Sequence, residues 1–448
     1  MRKPRAWDLL LCLPLALSVA GSAFAQAPQP LTLQQAEQIA IQNHPQIQAA
    51  VALASAADAQ RREVRAAYYP TVTGAISGAE ADDTNRIGAG VLNDPRIFPK
   101  FAQGFQVNQL LTDFGRTHQL VKSASLHAQA QEENIVTSRA DVLLQVDRFY
   151  YGVLRAQALL RVAQQTVGER QLVSDQVTQL AANQLKSQLD VSFANVDLAQ
   201  SQLLLIQAQN NLQTSYADLT RALGFADQRT YQLMEPGPPA GPPTELAGMI
   251  QQAIMNRPEL VSGRLEINAA QTFVTAERDL WLPSITAVGA AGLIPLHVMT
   301  TSSGLNDQYA AAGFNMTIPI FNGHLFGALR NEASARFTAQ QQNNRDLLDR
   351  IVRDVTQAWN DANSGYQRLS VVQQLVNQAT LALSLAQSRY QLGLSSIVEF
   401  TQAQLNLTQA QIEQVNATYD YDTQLSVLNY SIGNLRQESV HREAAMAA

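Results

Sequence analysis

Four segments of the chain alternate apolar and polar residues with period two. In Gly104–Leu111, Phe105 and Val107 fall on one face, with Gln106 and Asn108 on the other. In Thr71–Ser77, Val72 and Ile76 oppose Thr71, Thr73 and Ser77. Gly313–Ile318 sets Phe314, Met316 and Ile318 against Asn315 and Thr317, and Pro283–Gly292 alternates more weakly. This period predicts β-strands with one apolar face. A membrane barrel gives this pattern, and so does a soluble hairpin with one buried face.

Between these strands the periodicity changes. From Arg116 to Gln184, and again from His324 to Gln391, there is no Pro, and the only glycines are Gly152 and Gly168 in the first tract and Gly327 and Gly365 in the second. Each tract predicts a helix of about 100 Å at 1.5 Å per residue. Both are rich in Ala, Gln, Leu and Asn, a composition for helices packed sideways on several neighbours, as in a coiled coil or an α-helical cylinder. Leu392-Gly393-Leu394-Ser395 then breaks the second tract where the chain must turn back, and Asn183-Gln184-Leu185-Lys186 does so in the first without a glycine.

The two halves repeat one pattern. Asn43-His44-Pro45 returns as Asn256-Arg257-Pro258 and Tyr68-Tyr69-Pro70 as Trp281-Leu282-Pro283, both 213 residues on. Later the offset is 209: Asp190 matches Glu399, Gln200 matches Gln409, and Leu223-Gly224 matches Ile432-Gly433. The expected organisation is a first repeat over 26–234, a Pro/Gly linker over 235–245, a second repeat over 246–433 and a flexible tail over 434–448. Each repeat runs helix, strand, strand, long helix, turn, helix.

Residues 1–25 read as a secretory signal peptide, with a basic start, an apolar run from Leu9 to Val19 and Ala23-Phe24-Ala25 before the cut. The one cysteine, Cys12, lies inside it, so the mature chain has no disulfide, thiolate or Cys-based metal chemistry. Its removal takes Arg2, Lys3, Arg5 and Asp8, moving the formal charge from −6 to −8. An acidic exported chain is a poor nucleic-acid binder. Beyond residue 25 there is no stretch of about 20 apolar residues, so any membrane segment must be a β-barrel.

Taken in order, the two Asn-x-Pro helices, the Tyr69-Pro70 and Leu282-Pro283 approaches to strands, Gln109-Leu-Leu-Thr-Asp-Phe-Gly-Arg116, Ile318-Pro-Ile-Phe-Asn-Gly323, and Ala417-Thr-Tyr-Asp-Tyr421 leading to Ile432-Gly433 resemble the TolC family of outer-membrane efflux proteins. The resemblance runs from Leu31 to about Gly433. It implies a mainly α fold: a homotrimer whose helices form a periplasmic tunnel continuous with a shared 12-stranded barrel in the outer membrane of a Gram-negative bacterium, four strands from each protomer. It further implies a periplasmic adaptor and an inner-membrane pump as partners. Four strands alone leave two unpaired edges that lipid cannot satisfy, and three copies would close them. The loops Glu80–Gln103 and Pro295–Gln308 would face the exterior.

The tip is where function is expected. Asp190 and Glu399 lie five residues past Leu185 and Leu394, and three copies of each would ring a constriction with carboxylates, attracting cations. The resemblance implies that Glu399 faces the lumen and that Tyr390 helps hold the tunnel shut. The family's closing arginine is here Ser395, and its second acidic position is Gln402. Leu392, Gly393, Leu394 and Ser395, with Leu185 and Lys186 in the first half, match the adaptor-docking tip. Charges near a helix end and plain turn chemistry account for the same residues.

No catalytic constellation is visible. Asp113-Phe114-Gly115 lacks a phosphate loop and sits where Asp can cap the next helix. The six histidines are scattered, so neither a metal site nor a cofactor is expected. The expected function is an exit duct for a tripartite efflux or type I secretion system, with drugs or toxic small molecules as the default cargo. The alternatives are a non-conducting periplasmic coiled-coil scaffold and an exported hydrolase.

Overall fold

The computed structural model describes residues 30–79, 100–227, 229–237, 241, 243, 245–293 and 308–435. The signal segment, most of both expected exterior loops, part of the linker and residues 436–448 lie outside them. Each half contributes the same helices. α1 (Leu33–Asn43) and α5 (Leu246–Asn256) have 11 residues, and α2 (Pro45–Arg65) and α6 (Pro258–Arg278) have 21. α3 (Arg116–Ala182) and α7 (Leu325–Gln391) have 67, and α4 (Gln188–Ala222) and α8 (Ile397–Ser431) have 35.

The Asn-x-Pro motifs separate the short helices, since proline suits a first helical position. His44 Nδ1 accepts from Gln46 N and caps α2. Arg257, at the equivalent position, is buried, ion-paired to Glu259 at 2.8 Å and set over the Tyr430 ring. The two repeats thus use one backbone turn with unrelated side-chain chemistry. Asp113 accepts from Thr117 N at 2.7 Å, capping α3 as its position suggested.

β2 (Thr71–Ala79), β3 (Lys100–Thr112), β5 (Ser284–Leu293) and β6 (Gln308–Thr317) form one antiparallel sheet in the order β2-β3-β5-β6. The strands extend further than the alternation indicated. Gln103 still pairs with Ile76 and Gln308 with Leu293, so 100–103 and Gln308, assigned to the exterior loops, belong to strands. Register carries Val72 opposite Val107, and Ala287 opposite Phe314. One face therefore gathers Val72, Ile76, Phe105, Val107, Phe314 and Met316, all solvent-exposed in the protomer. Thr71, Thr73, Gln106, Asn108, Thr286 and Asn315 share the other face. Gly104 and Gly292 pair directly, and a Cβ on Gly104 would lie 2.5 Å from the Tyr309 hydroxyl that crosses them.

A small parallel pair that alternation did not show, β1 (Pro30–Leu31) with β4 (Gln232–Leu233), ties the start of the first repeat to the chain after α4. The Tyr150 hydroxyl lies 2.9 Å from Leu31 O and 2.7 Å from Met234 O, pinning this pair to α3. Away from the sheet, α3 pairs with α4 and α7 with α8, and α3 also packs on α8. Toward the sheet α3 packs on α2 and α6, with Ser123 donating to Ala269 O and Ser262 to Ala130 O. Alanines such as Ala40, Ala130, Ala253 and Ala362 occupy fully buried positions, which lets these helices approach closely. Leu435 is buried with Ala140, Leu143 and Leu144, so packing continues two residues into the segment assigned as tail.

Candidate gate at the helical tip

Both long helices end in the same hydrogen-bonded turn. After α7, Gly393 N donates to Tyr390 O and Leu394 N to Arg389 O, with Gly393 at φ +71°. After α3, Gln184 N donates to Ala181 O and Leu185 N to Leu180 O, with Gln184 itself at φ +58°. This double bond pattern satisfies the last carbonyls of a helix and needs a left-handed residue. Glycine adopts that conformation freely, while in the first repeat Gln184 bears the strain. That accounts for the Gly393 break. The return helices then start on serines: Ser187 Oγ accepts from Asp190 N at 3.1 Å, and Ser396 Oγ from Glu399 N at 3.4 Å.

The two acidic residues differ from here. The Asp190 carboxylate turns back to Ser187 N at 3.1 Å and Ser187 Oγ at 3.0 Å, completing a capping box. The Glu399 carboxylate instead faces Arg389 across the turn at 3.3 Å, with both side chains about half exposed. Among the described residues no hydrogen bond or ion pair joins Asp190 to Glu399. Gln402, one turn along α8, is exposed and donates to Asn406 Oδ1.

Tyr390 lies at the centre of the tip. It is 8% exposed and packs with Val177, Val191, Ala194, Ile397 and Phe400. Its ring stacks on Phe400 with centroids 5.4 Å apart and planes 5° from parallel, and Lys186 Nζ sits 4.0 Å from its centroid on a bond between the two hairpins. Burial first, and then the Asp190 carboxylate, push its phenol above the ordinary value, so it stays neutral near pH 7. Among the described residues neither Tyr390 Oη nor Ser395 Oγ has a hydrogen-bond partner, though both atoms are buried. Leu185, Leu392 and Leu394, by contrast, project into solvent, and nothing stands within 4 Å of a Cβ built on Gly393.

The structure thus brings Lys186 and Tyr390 together, while no bond joins Asp190, Glu399 and Gln402 to one another among the described residues. Sequence reasoning missed Phe400 and Arg389. Phe400 sits one turn past the Ser396 cap, and Arg389 precedes Tyr390, but their contacts depend on how the hairpins meet.

The sequence pattern of the outer membrane efflux protein family matches residues 37–225 and 249–434, nearly all of both repeats. The chain belongs to this family. The family's description places it in the outer membrane as an efflux channel. Outer membrane protein TolC of Salmonella enteritidis is 22% identical over 436 residues, covering 96% of this chain and 87% of its own. Cation efflux system protein CusC of Escherichia coli O157:H7 is 24% identical over 386 residues, covering 82% and 78%. The crystal structure of the outer membrane protein VceC from Vibrio cholerae shares the fold with a TM-score of 0.76, 19% identity, and coverage of 90% of this chain and 96% of that one. In this outer membrane efflux protein the fold is therefore the channel fold, with the helices forming a long periplasmic portion and the sheet lying at the opposite end from the tip.

Proposed function

We propose that three copies of this chain form a duct that carries organic small molecules from an inner-membrane pump and a periplasmic adaptor through the outer membrane, closed at rest by the tip. The observation that carries this reading is the four-stranded sheet. Its apolar face is exposed, and its β2 and β6 edges have no partner among the described residues. In lipid those edges must be bonded, and closure with two further copies gives twelve strands, an apolar exterior and a polar lining.

The helices support the same assembly. Leu189, Phe193, Val196, Leu203 and Ile206 make an exposed apolar stripe along α4, and Val371, Leu375, Leu381 and Leu385 make another along α7. Steps of three, four and seven residues keep the α4 stripe on one face, and the α7 positions fall within about 120° of one another, as at a helix–helix seam. Pairing α4 of one copy with α7 of the next buries both and closes the tunnel.

At the tip, the exposed leucines fit a hydrophobic adaptor contact, and the open space beside Gly393 allows a close approach. Three copies of Glu399 and Asp190 would place six carboxylates at the mouth. Asp190 also serves as a cap, so Asp190→Asn keeps a capping acceptor while removing charge. Sparse sulfur and imidazole along the chain (1 Cys, 7 Met, 6 His) favours organic cargo over soft metal ions.

Single-channel recording of the mature protein in a planar bilayer tests this reading. A small, mostly closed, cation-selective pore is expected, with reduced cation preference in the Glu399→Gln, Asp190→Asn double variant. Failure to insert where a control porin inserts would overturn the duct, and unchanged selectivity would overturn the carboxylate ring.

A further inference from the structure

Above the tip, one polar side chain joins the two hairpins in the buried seam between α3 and α8. Arg170 of α3 is 6% exposed, and its one hydrogen bond among the described residues goes to Gln404 Oε1 of α8. Gln404 is itself 7% exposed. Beside them, on α4, one carboxylate oxygen of Asp197 is buried with no hydrogen-bond partner. Arg170 and Asp197 lie near enough to influence each other's ionisation yet form no ion pair. Arg170 and Asp197 border the same space. A cavity of about 320 Å³ is lined by Arg170 and Asp197 with Thr166, Ser201, Thr401 and Gln402, leaving room for the guanidinium to swing.

This arrangement is unusual for a buried arginine. A guanidinium carries five donors and ordinarily takes a carboxylate when desolvated. Here the carboxylate is adjacent, unbonded and on the same hairpin as the arginine, while the bond made is to a neutral amide on the other hairpin. A buried charge without its counter-ion is costly, and so is the orphaned carboxylate oxygen.

We propose that Arg170 is a positioning residue for the gate with two alternative partners, bonded to Gln404 when the hairpins lie together and to Asp197 when they part. The inference rests on the gated-duct reading. In the first arrangement Arg170 fastens α3 to α8 about 18 Å above the end of α3, at 1.5 Å per residue over the 12 residues to Ala182. In the second, separation of α8 frees the guanidinium to pair within the α3–α4 hairpin, so the ion pair absent here stabilises the parted state. The pair of partners makes the seam bistable, which a docking partner at the tip can bias.

Three variants separate this from a merely structural role. Gln404→Glu puts a carboxylate on the α8 side and should lower the open fraction of single channels about tenfold. Asp197→Asn removes the partner of the parted state and should lower it too, although it deletes a charge and leaves the observed Arg170–Gln404 bond in place. Gln404→Ala should raise it. An open fraction unchanged or raised in Asp197→Asn would overturn the proposal.

Hydrogen exchange of the first turns of α4 reads the same equilibrium without a pore. Protection should rise in Gln404→Glu and Asp197→Asn, and equal protection in both variants and the parent chain would likewise overturn the switch. Absence of any conductance in the parent chain would overturn the duct instead, and the exchange result would still decide the switch.

Discussion

Asp422 on α8 is a carboxyl group whose surroundings work against its charge. Burial pushes it up from 3.8 to about 6, and the hydroxyls of Tyr151, Tyr419 and Tyr421 lie within its electrostatic reach. Between about pH 4 and pH 6 the folded chain therefore holds a proton that the unfolded chain has released. The stability tied to this proton is complete below that window and lost as pH rises through it. Asp422→Asn is expected to melt higher than the parent chain at pH 7.5 and at the same temperature near pH 4. A difference independent of pH would mean that Asp422 ionises freely. At the same scale, Lys186→Ala is expected to weaken the tip by about 1 kcal/mol, the worth of a half-buried cation over an aromatic ring, read as a larger open fraction in bilayer recordings. The Lys186 contact was not legible in the sequence. Tyr390 and Lys186 are 204 positions apart, and only the meeting of two hairpins puts one over the other.

At the scale of the element, helix ends were the most legible feature. Gly393 marked a turn because few other residues take φ +71° without strain, and Ser187 and Ser396 cap the helices that follow. The repeat placed the equivalent turn at Asn183-Gln184-Leu185-Lys186, but nothing in its composition showed that Gln184 takes the left-handed position, at φ +58°. Gly393→Ala should therefore cost about 1 kcal/mol, whereas Gln184→Gly should raise the melting temperature, with relief of strain exceeding the entropy cost of glycine. Thermal unfolding of both variants checks the pair, and a destabilising Gln184→Gly would show that the glutamine side chain contributes elsewhere. The β1–β4 pair was illegible for another reason. Two-residue strands carry no period, and their order comes from the Tyr150 hydroxyl shared between two carbonyls. Tyr150→Phe leaves Met234 O short of a donor, while Leu31 O keeps its bond from Met234 N, with an expected loss of about 1–3 kcal/mol.

At the scale of the whole molecule, the protomer leaves apolar surface uncovered on its sheet, on α4, on α7 and at its tip. Uncovered area on this scale marks contact with lipid or protein. Leu203→Glu with Ile206→Glu should convert the proposed trimer to monomer in detergent while the helical content by circular dichroism is kept, with mass measured by light scattering. An unchanged mass would remove α4 from the interface.

The duplication, the lengths of the long helices, the positions of the turns and the facing of the strand residues can all be read from the order of residues alone. Each of these follows from local period and backbone preference, which a side chain expresses wherever it sits. Tertiary structure decided what the polar residues at the tip do. Asp190 and Glu399 occupy equivalent positions, yet one closes a capping box and the other pairs with Arg389. Arg170, Gln404 and Asp197 come from three helices, and each looks ordinary on its own. Their chemistry arises only when packing strips away water and sets which partners remain in reach, a choice made between helices far apart in the chain and invisible to any local pattern.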